Sequence, residues 1–148
     1  MSFLRRTFFR RILYVGFSLG AMLMAPVAAH ADANYYNEFG QRPGLNAVVG
    51  DMLKNVLADD RIKAYFTNAN IPVLHASLVN QFCMLEGGPC QFNENMQKIH
   101  QSLGITQAAF NALAEDLQKA MRENNIPLSA QNNLLSKLAP MEQVIVTK

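Results

Sequence analysis

The apolar side chains of residues 45–57 recur at intervals of three and four, the spacing that places them along one face of a helix. No stretch of the chain keeps up the alternation of apolar and polar residues that is typical of a half-buried strand. The sequence therefore predicts an all-α fold. The apolar face of this helix consists of Leu45, Val48, Val49, Met52, Leu53, Val56 and Leu57.

Helix-starting and helix-ending residues divide the rest of the chain. Thr106 and Ser129 are expected N-caps, Gly104 is expected to end the helix before it, and Pro140 is expected to kink or end the last helix. Residues 41–44, which read Gln-Arg-Pro-Gly, are expected to form a turn. The resulting helices cover residues 35–40, 45–57, 71–86, 96–103, 106–123 and 129 onward, with a brief segment that Asp59 and Asp60 cap and that runs to Phe66.

Residues 1–31 have the pattern of a signal peptide. Arginines at positions 5, 6, 10 and 11 precede an uncharged run over residues 12–29, and Ala29-His30-Ala31 is an A-x-A cleavage site. The arginines also resemble the twin-arginine export signal, while the apolar run suits the ordinary unfolded route equally well. The alternative is a membrane anchor. The run of 18 uncharged residues is just long enough for a spanning helix.

Cleavage after residue 31 would leave one domain over residues 32–148, which we expect to be exported and periplasmic. The leader holds four of the 13 Lys and Arg residues and none of the 11 acidic ones, so the mature charge is −2. No basic cluster interleaved with aromatic residues remains, which argues against nucleic acid as a partner. Contact with a membrane is expected only through an uncleaved leader.

Two histidines follow the leader, and one of them lies in a pattern suited to holding a metal. Met96, Ile99 and Leu103 share one helical face, and His100 stacks beside Met96 one turn later. An imidazole on a helix beside an apolar cavity can ligate iron axially. A lone histidine on such a helix is more often an ordinary core or surface residue, so the surrounding chain must decide.

The order of residues from Tyr35 to Val146 resembles the group I truncated haemoglobins, a family of shortened globins folded as a two-over-two helical sandwich around haem. The resemblance lies in four pieces taken in order. They are Val56-Leu57-Ala58-Asp59-Asp60, then Tyr65-Phe66, then Gly87-Gly88-Pro89 after the long helix, then Met96-Gln97-Lys98-Ile99-His100 followed by Gly104-Ile105-Thr106.

This resemblance implies a haem b protein that reversibly binds oxygen, nitric oxide or carbon monoxide. It makes His100 the proximal iron ligand and Phe66 the residue that packs on the haem face, and it makes Gly87-Gly88 a hinge before the haem-binding loop. The implied haem contacts are His100, Phe66, Leu74, Leu78, Phe92 and Met96.

Two positions depart from the family pattern. The first loop lacks the usual second glycine pair, and Leu53 stands where many relatives place a tyrosine that holds bound oxygen. The implied distal surface consists of Leu53, Leu74, Ser77, Leu78 and Gln81. Without a strong donor we expect fast oxygen release or easy autoxidation, with Gln81 as a partial substitute, and a preference for carbon monoxide or nitric oxide.

His75 neighbours Leu74 and is a possible sixth iron ligand. The competing interpretation is that it points to solvent or to another helix, since one residue turns a helix by about 100°. Cys83 and Cys90 bracket the glycine turn, and in an exported chain they form either a disulfide or two free thiols. A zinc site of His75, Cys83, Cys90 and His100 is disfavoured, because the cysteines are too far apart in sequence.

Two other functions are open at this stage. The apolar helical faces also suit a cofactor-free exported helical interaction domain. Within the haem class, nitric oxide dioxygenation or weak peroxidase chemistry is conceivable, with a reductase as partner. No acid and base pair near His100 can be named, so gas binding is the primary prediction and catalysis stays open.

Overall fold

The computed structural model describes residues 35–148, which form an all-helical domain with no strand among them. The predicted leader, its cleavage site and its export signal lie outside the described residues. The helices are α1 (Tyr35–Glu38), α2 (Gln41–Ala58), α3 (Ile71–Leu85), α4 (Met96–His100), α5 (Gln107–Glu123), α6 (Leu128–Leu138) and α7 (Glu142–Ile145), with 3-10 turns at Lys63–Phe66 and Ala139–Met141.

The four long helices pack in a two-over-two arrangement, in which α2 contacts α3 and α5, and α6 contacts the same two helices. The predicted apolar face of α2 is buried here, with Leu45, Val48, Val49 and Val56 fully inaccessible. Leu57 is the exception, since it is 44% exposed at the end of α2. The helical pattern of the sequence thus identified the core face of α2 except at its last turn.

Helix α2 begins earlier than the sequence predicts, because residues 41–44 are its first turn and no separate loop. The reversal from α1 is made by two left-handed residues, Gly40 at φ 72° and Gln41 at φ 58°. Pro43 is tolerated in the first turn of a helix because its missing N–H has no partner there. This is how the chain makes the turn without a second glycine pair.

Helix α3 starts and stops as predicted. Pro72 lies in its first turn, and the Asn70 side chain, an N-cap that the sequence analysis missed, accepts a hydrogen bond of 3.3 Å from Val73 N. The helix ends at Leu85, and Gly87 then adopts φ 83°. Cys83 and Cys90 are joined by a disulfide across this turn, with their Cα atoms 5.7 Å apart.

Helix α4 is short, and its end was wrongly predicted. Asn95 caps it through a 2.9 Å bond from Lys98 N, and the regular helix stops at His100, four residues before Gly104. Gly104 instead turns the chain at φ 61° into α5. The predicted N-cap of α5 is confirmed, because Thr106 Oγ1 accepts a 3.1 Å bond from Ala109 N.

The last helices close the domain. Ser129 is not the N-cap of α6, since the helix already begins at Leu128 after the extended Pro127, and Ser129 Oγ instead donates to Glu38 Oε2 at 3.1 Å. Near Pro140 the α-helix gives way to a 3-10 turn, as predicted, and α7 then packs against α4. Among residues 35–148, no helix has the length and apolar character needed to cross a membrane.

Candidate functional site

A cavity of about 580 Å³ lies inside the helical sandwich, within the range of about 300–1,000 Å³ that is usual for ligand and cofactor sites. Its wall takes residues from α2, α3, α5 and α6, from the Lys63–Phe66 turn and from the α4 and α7 region. Most of the wall is apolar, and it includes Met52, Ile62, Phe66, Leu74, Leu78, Phe82, Phe92, Phe110, Leu113, Leu117, Leu135 and Leu138.

Within residues 35–148, His100 is the single imidazole on this wall. Its Nδ1 atom lies 2.8 Å from the carbonyl oxygen of Met96, one turn earlier in α4. A carbonyl can only accept, so Nδ1 carries the proton and donates, and the Nε2 lone pair is left free. A neutral imidazole whose second nitrogen donates to a carbonyl is the usual state of a metal-ligating histidine.

The apolar cavity and this imidazole fit a haem group. A flat macrocycle needs a large apolar slot, and its iron needs one neutral nitrogen ligand. The other sequence-predicted contacts, Phe66, Leu74, Leu78, Phe92 and Met96, line the same cavity. The structure thus brings together all six residues that the family resemblance implied for the haem.

Leu53 is not one of the lining residues, although it was expected on the distal surface. It is 3% exposed and belongs to the core, while its neighbour Met52 lines the cavity. Adjacent residues on a helix point about 100° apart, and an aligned position does not specify which of two neighbours reaches the cavity. Of the predicted distal set, Leu74, Ser77, Leu78 and Gln81 do line it.

Gln81 is 5% exposed and its amide is directed at two methionines. Nε2 lies 3.5 Å from Met141 Sδ and 3.7 Å from Met96 Sδ. Met96 belongs to the helix that carries His100. The amide expected to assist a bound gas is therefore engaged with the proximal helix.

The His75 imidazole is directed away from the cavity and toward another helix, which favours the competing interpretation over a role as sixth iron ligand. Its Nε2 atom lies 3.1 Å from the carbonyl oxygen of Asn46 in α2, and His75 does not line the cavity. The cause is the rotation between consecutive helix positions, which turns His75 toward α2 while Leu74 faces the cavity.

The zinc alternative finds no support in this geometry. Cys83 and Cys90 are joined in a disulfide, so neither has a thiolate to ligate zinc. Within the described residues 35–148, no group of three or more His, Cys, Asp or Glu side chains could hold a metal ion.

Tyr65 also lines the cavity, although in the sequence it stands out only as part of the family pattern. Its hydroxyl donates a 3.4 Å bond to the carbonyl oxygen of Gly104, which follows α4. The contact joins the Lys63–Phe66 turn to the segment behind His100. Nothing in the helical periodicity of the sequence pointed to this contact, because it depends on tertiary packing.

Two buried carboxylates lie outside the cavity wall. Burial raises the pKa of Glu86 above its ordinary value, although Asn133 donates to both of its oxygens at 3.0 Å and Lys137 lies near. Burial likewise raises the pKa of Asp116, whose Oδ2 atom has no hydrogen-bond partner in the part of the chain that the structure describes. Neither carboxylate is part of the candidate site, because neither lines the cavity.

The helical sandwich and its imidazole-bearing cavity define a globin. The chain belongs to the bacterial-like globin family, whose model matches residues 34–147. It is 30% identical over 116 residues to the group 1 truncated hemoglobin GlbN of Mycolicibacterium paratuberculosis, an alignment that covers 78% of this chain and 85% of that protein.

Solved structures show the same fold. The truncated hemoglobin of Tetrahymena pyriformis in its Fe(III) form matches with a TM-score of 0.73 and 24% identity, over 77% of this chain and 98% of that one. A 2/2 hemoglobin from a Synechococcus species, in the cyanomet state and with covalently attached heme, matches with a TM-score of 0.71 and 21% identity over the same shares.

Proposed function

We propose that this protein binds haem with His100 as the proximal iron ligand and reversibly binds a small diatomic gas. Haem-based gas binding is the function of the family to which the chain belongs, and haem iron is its cofactor. The observation that carries the assignment of His100 is the 2.8 Å contact between its Nδ1 atom and Met96 O at the wall of the cavity.

A bound haem would supply the iron that binds a small gas, and His100 and the apolar residues of the cavity would hold it. The protein supplies the rest. His100 is held in one tautomer by the Met96 carbonyl, so that Nε2 presents its lone pair. Leu74, Leu78 and Phe66 contribute apolar side chains to the cavity, which excludes water and lowers the local dielectric around a bound ligand.

The leucines on α3 also define which gas the pocket suits. Leu74 and Leu78 cannot donate a hydrogen bond, and the Gln81 amide is engaged with two sulfur atoms. The short Ser77 hydroxyl is the one remaining donor among the predicted distal residues that line the cavity. A bound oxygen molecule gains about 1–3 kcal/mol from a donor to its partial negative charge. We therefore propose faster oxygen release than from a donor-equipped pocket, and a preference for carbon monoxide or nitric oxide.

We also propose that the domain works outside the cytoplasm after removal of residues 1–31. The support is the basic and apolar leader pattern, together with the Cys83–Cys90 disulfide, a bond that persists in oxidising compartments. N-terminal sequencing of the protein from the periplasmic fraction tests this. A mature chain that starts at residue 32 supports it, and an intact N-terminus on a cytoplasmic protein contradicts it.

The gas-binding proposal is tested by titrating purified protein with haemin and recording the Soret band, then adding dithionite and carbon monoxide. Wild-type protein should take up one haem per chain and give a carbon monoxide difference spectrum. His75→Ala is the matched control, because that imidazole faces Asn46, and it should behave as wild type. A wild-type protein that binds no haem would refute the proposal.

A further inference from the structure

We propose that Gln81 is a positioning residue for His100, acting through Met96, and that it does not donate to the bound gas. This inference rests on the proposed function, because it concerns the ligand of the iron. It reverses the expectation from the family pattern, which grouped Gln81 with the distal residues.

The Gln81 side chain is among the few buried polar groups of the domain, since only 5% of its surface is exposed. Its amide nitrogen contacts Met141 Sδ at 3.5 Å and Met96 Sδ at 3.7 Å. Thioether sulfur is a weak acceptor, yet a buried amide that loses its partners costs about 1–3 kcal/mol. Both contacts therefore hold Gln81 at the α4 side of the cavity.

Helix α4 depends on such contacts for its position. It has five residues, Met96–His100, too few to be stable through its own hydrogen bonds. The preceding residues 89–94 make no backbone–backbone hydrogen bond within the described chain. Side-chain contacts must therefore set where α4 lies, and Gln81 bonds the side chain of its first residue.

Met96 is the single residue that connects Gln81 to His100, the proposed iron ligand. Its sulfur accepts from Gln81, and its backbone carbonyl accepts from His100 Nδ1 at 2.8 Å. The hydrogen bond on the second nitrogen of a ligating histidine fixes the ring orientation and raises its basicity. A displacement of Met96 would therefore weaken the His100 hydrogen bond and, with it, the bond from His100 to iron.

A distal role would require Gln81 to give up both sulfur contacts. Leu78 lies one turn before it on α3, and both residues line the cavity. Leu78 and Leu74 line the cavity, whereas the Gln81 amide reaches α4 and the Ala139–Met141 turn. The two roles predict different spectroscopic changes on substitution.

The test is resonance Raman spectroscopy of the ferrous protein reconstituted with haem. The iron–histidine stretch of the unliganded form reports the proximal bond, and the C–O stretch of the carbon monoxide complex reports the distal surroundings. Gln81→Leu is compared with Gln131→Leu, which removes another buried glutamine, one that does not line the cavity. The Gln131 amide donates to the carbonyl oxygen of Ile126 and not to Met96, so this variant controls for the loss of a buried amide.

We expect Gln81→Leu to lower and broaden the iron–histidine stretch, to leave the C–O stretch unchanged and to speed haem loss on the order of 10-fold. Gln131→Leu should leave the iron–histidine stretch as in wild type. If Gln81→Leu does not fold, Met96→Leu removes the sulfur acceptor at nearly constant volume and should shift the stretch in the same direction.

An unchanged iron–histidine stretch in Gln81→Leu, or a shifted C–O stretch with faster oxygen release, would overturn the inference while leaving the proposed function intact. An equal shift in Gln131→Leu would also overturn it, because the effect would then follow from the loss of a buried amide and not pass through Met96. Failure of the wild-type protein to bind haem would overturn the proposed function and this inference together.

Discussion

A Cβ atom placed on Gly44 would lie 1.8 Å from the carbonyl oxygen of Phe39. The two residues face each other across the left-handed turn at Gly40 and Gln41, where α1 gives way to α2. Phe39 is 1% exposed and part of the core, so its backbone cannot retreat without moving buried side chains. The lack of a side chain at Gly44 therefore allows α1 to pack closely against the start of α2.

Gly44→Ala should therefore destabilise the domain by at least about 2–3 kcal/mol, the cost of forcing an extra group into a packed site. Gly50→Ala in the same helix is the control, because its Cβ would meet only His75 Nε2 at 3.9 Å. Replacement of a helical glycine by alanine there should be neutral or stabilising by up to about 1 kcal/mol. Urea unfolding of the two variants measures both values, and equal stabilities would contradict the account.

The Cys83–Cys90 disulfide should stabilise the domain by about 2–3 kcal/mol, because it closes a short loop in the unfolded chain. The double variant Cys83→Ser, Cys90→Ser is expected to lose this amount in urea unfolding. A reducing agent should lower the stability of the wild type by the same amount and leave the variant unaffected. A wild type indifferent to the reducing agent would show that the bond is absent in solution.

Glu86 should make stability depend on pH. Burial raises its pKa in the folded state above the ordinary value of 4.5. The stabilisation of the folded state is then complete below about pH 4.5 and is lost as pH rises through the folded-state pKa. Glu86→Gln should consequently gain stability relative to wild type between acidic and neutral pH, as measured by urea unfolding across that range.

Lys137 provides a check on this prediction, because its charge lowers the pKa of Glu86. In a Lys137→Met background, the pKa of Glu86 should rise further, and the pH-dependent change in stability caused by Glu86→Gln should grow. A change that stays constant with pH in both backgrounds would show that the Glu86 carboxyl titrates at the same pH in the folded and unfolded protein.

A donor placed over the haem should slow oxygen release. Leu78→Gln adds an amide to an apolar part of the cavity wall, and a hydrogen bond of about 1–3 kcal/mol corresponds to a roughly 5- to 150-fold slower rate. Stopped-flow measurement of oxygen dissociation tests this, with Leu78→Met as the control of similar size without a donor. Equal rates in the two variants would mean that residue 78 does not face the bound gas.

Periodicity and capping chemistry predicted the helices well, because both act within a few residues. The core face of α2, the Thr106 cap and the end of α3 all follow from local sequence. The start of α2 did not, since it needs a positive φ at Gln41, a conformation that residues other than glycine rarely adopt.

The family resemblance indicated most of the residues that line the cavity. It did not indicate the directions of individual side chains. His100 and its apolar neighbours line the cavity as the resemblance implied. Gln81 was grouped with the distal residues because its sulfur partners are 15 and 60 residues away in sequence, and no local pattern brings them together. Leu53 turns away from the cavity through a single-residue rotation that its aligned position did not reveal. For His75 the rotation of about 100° per residue had indicated the observed direction, toward another helix.

The bond between His100 and the iron is the central feature of the proposed function. The most direct measurement is the iron–histidine stretch of ferrous protein in wild type and in His100→Gly, before and after addition of free imidazole. We predict a stretch in wild type that disappears in His100→Gly and returns with imidazole, which fills the space of the missing ring. A variant that keeps the wild-type stretch and haem content without imidazole would contradict the central claim.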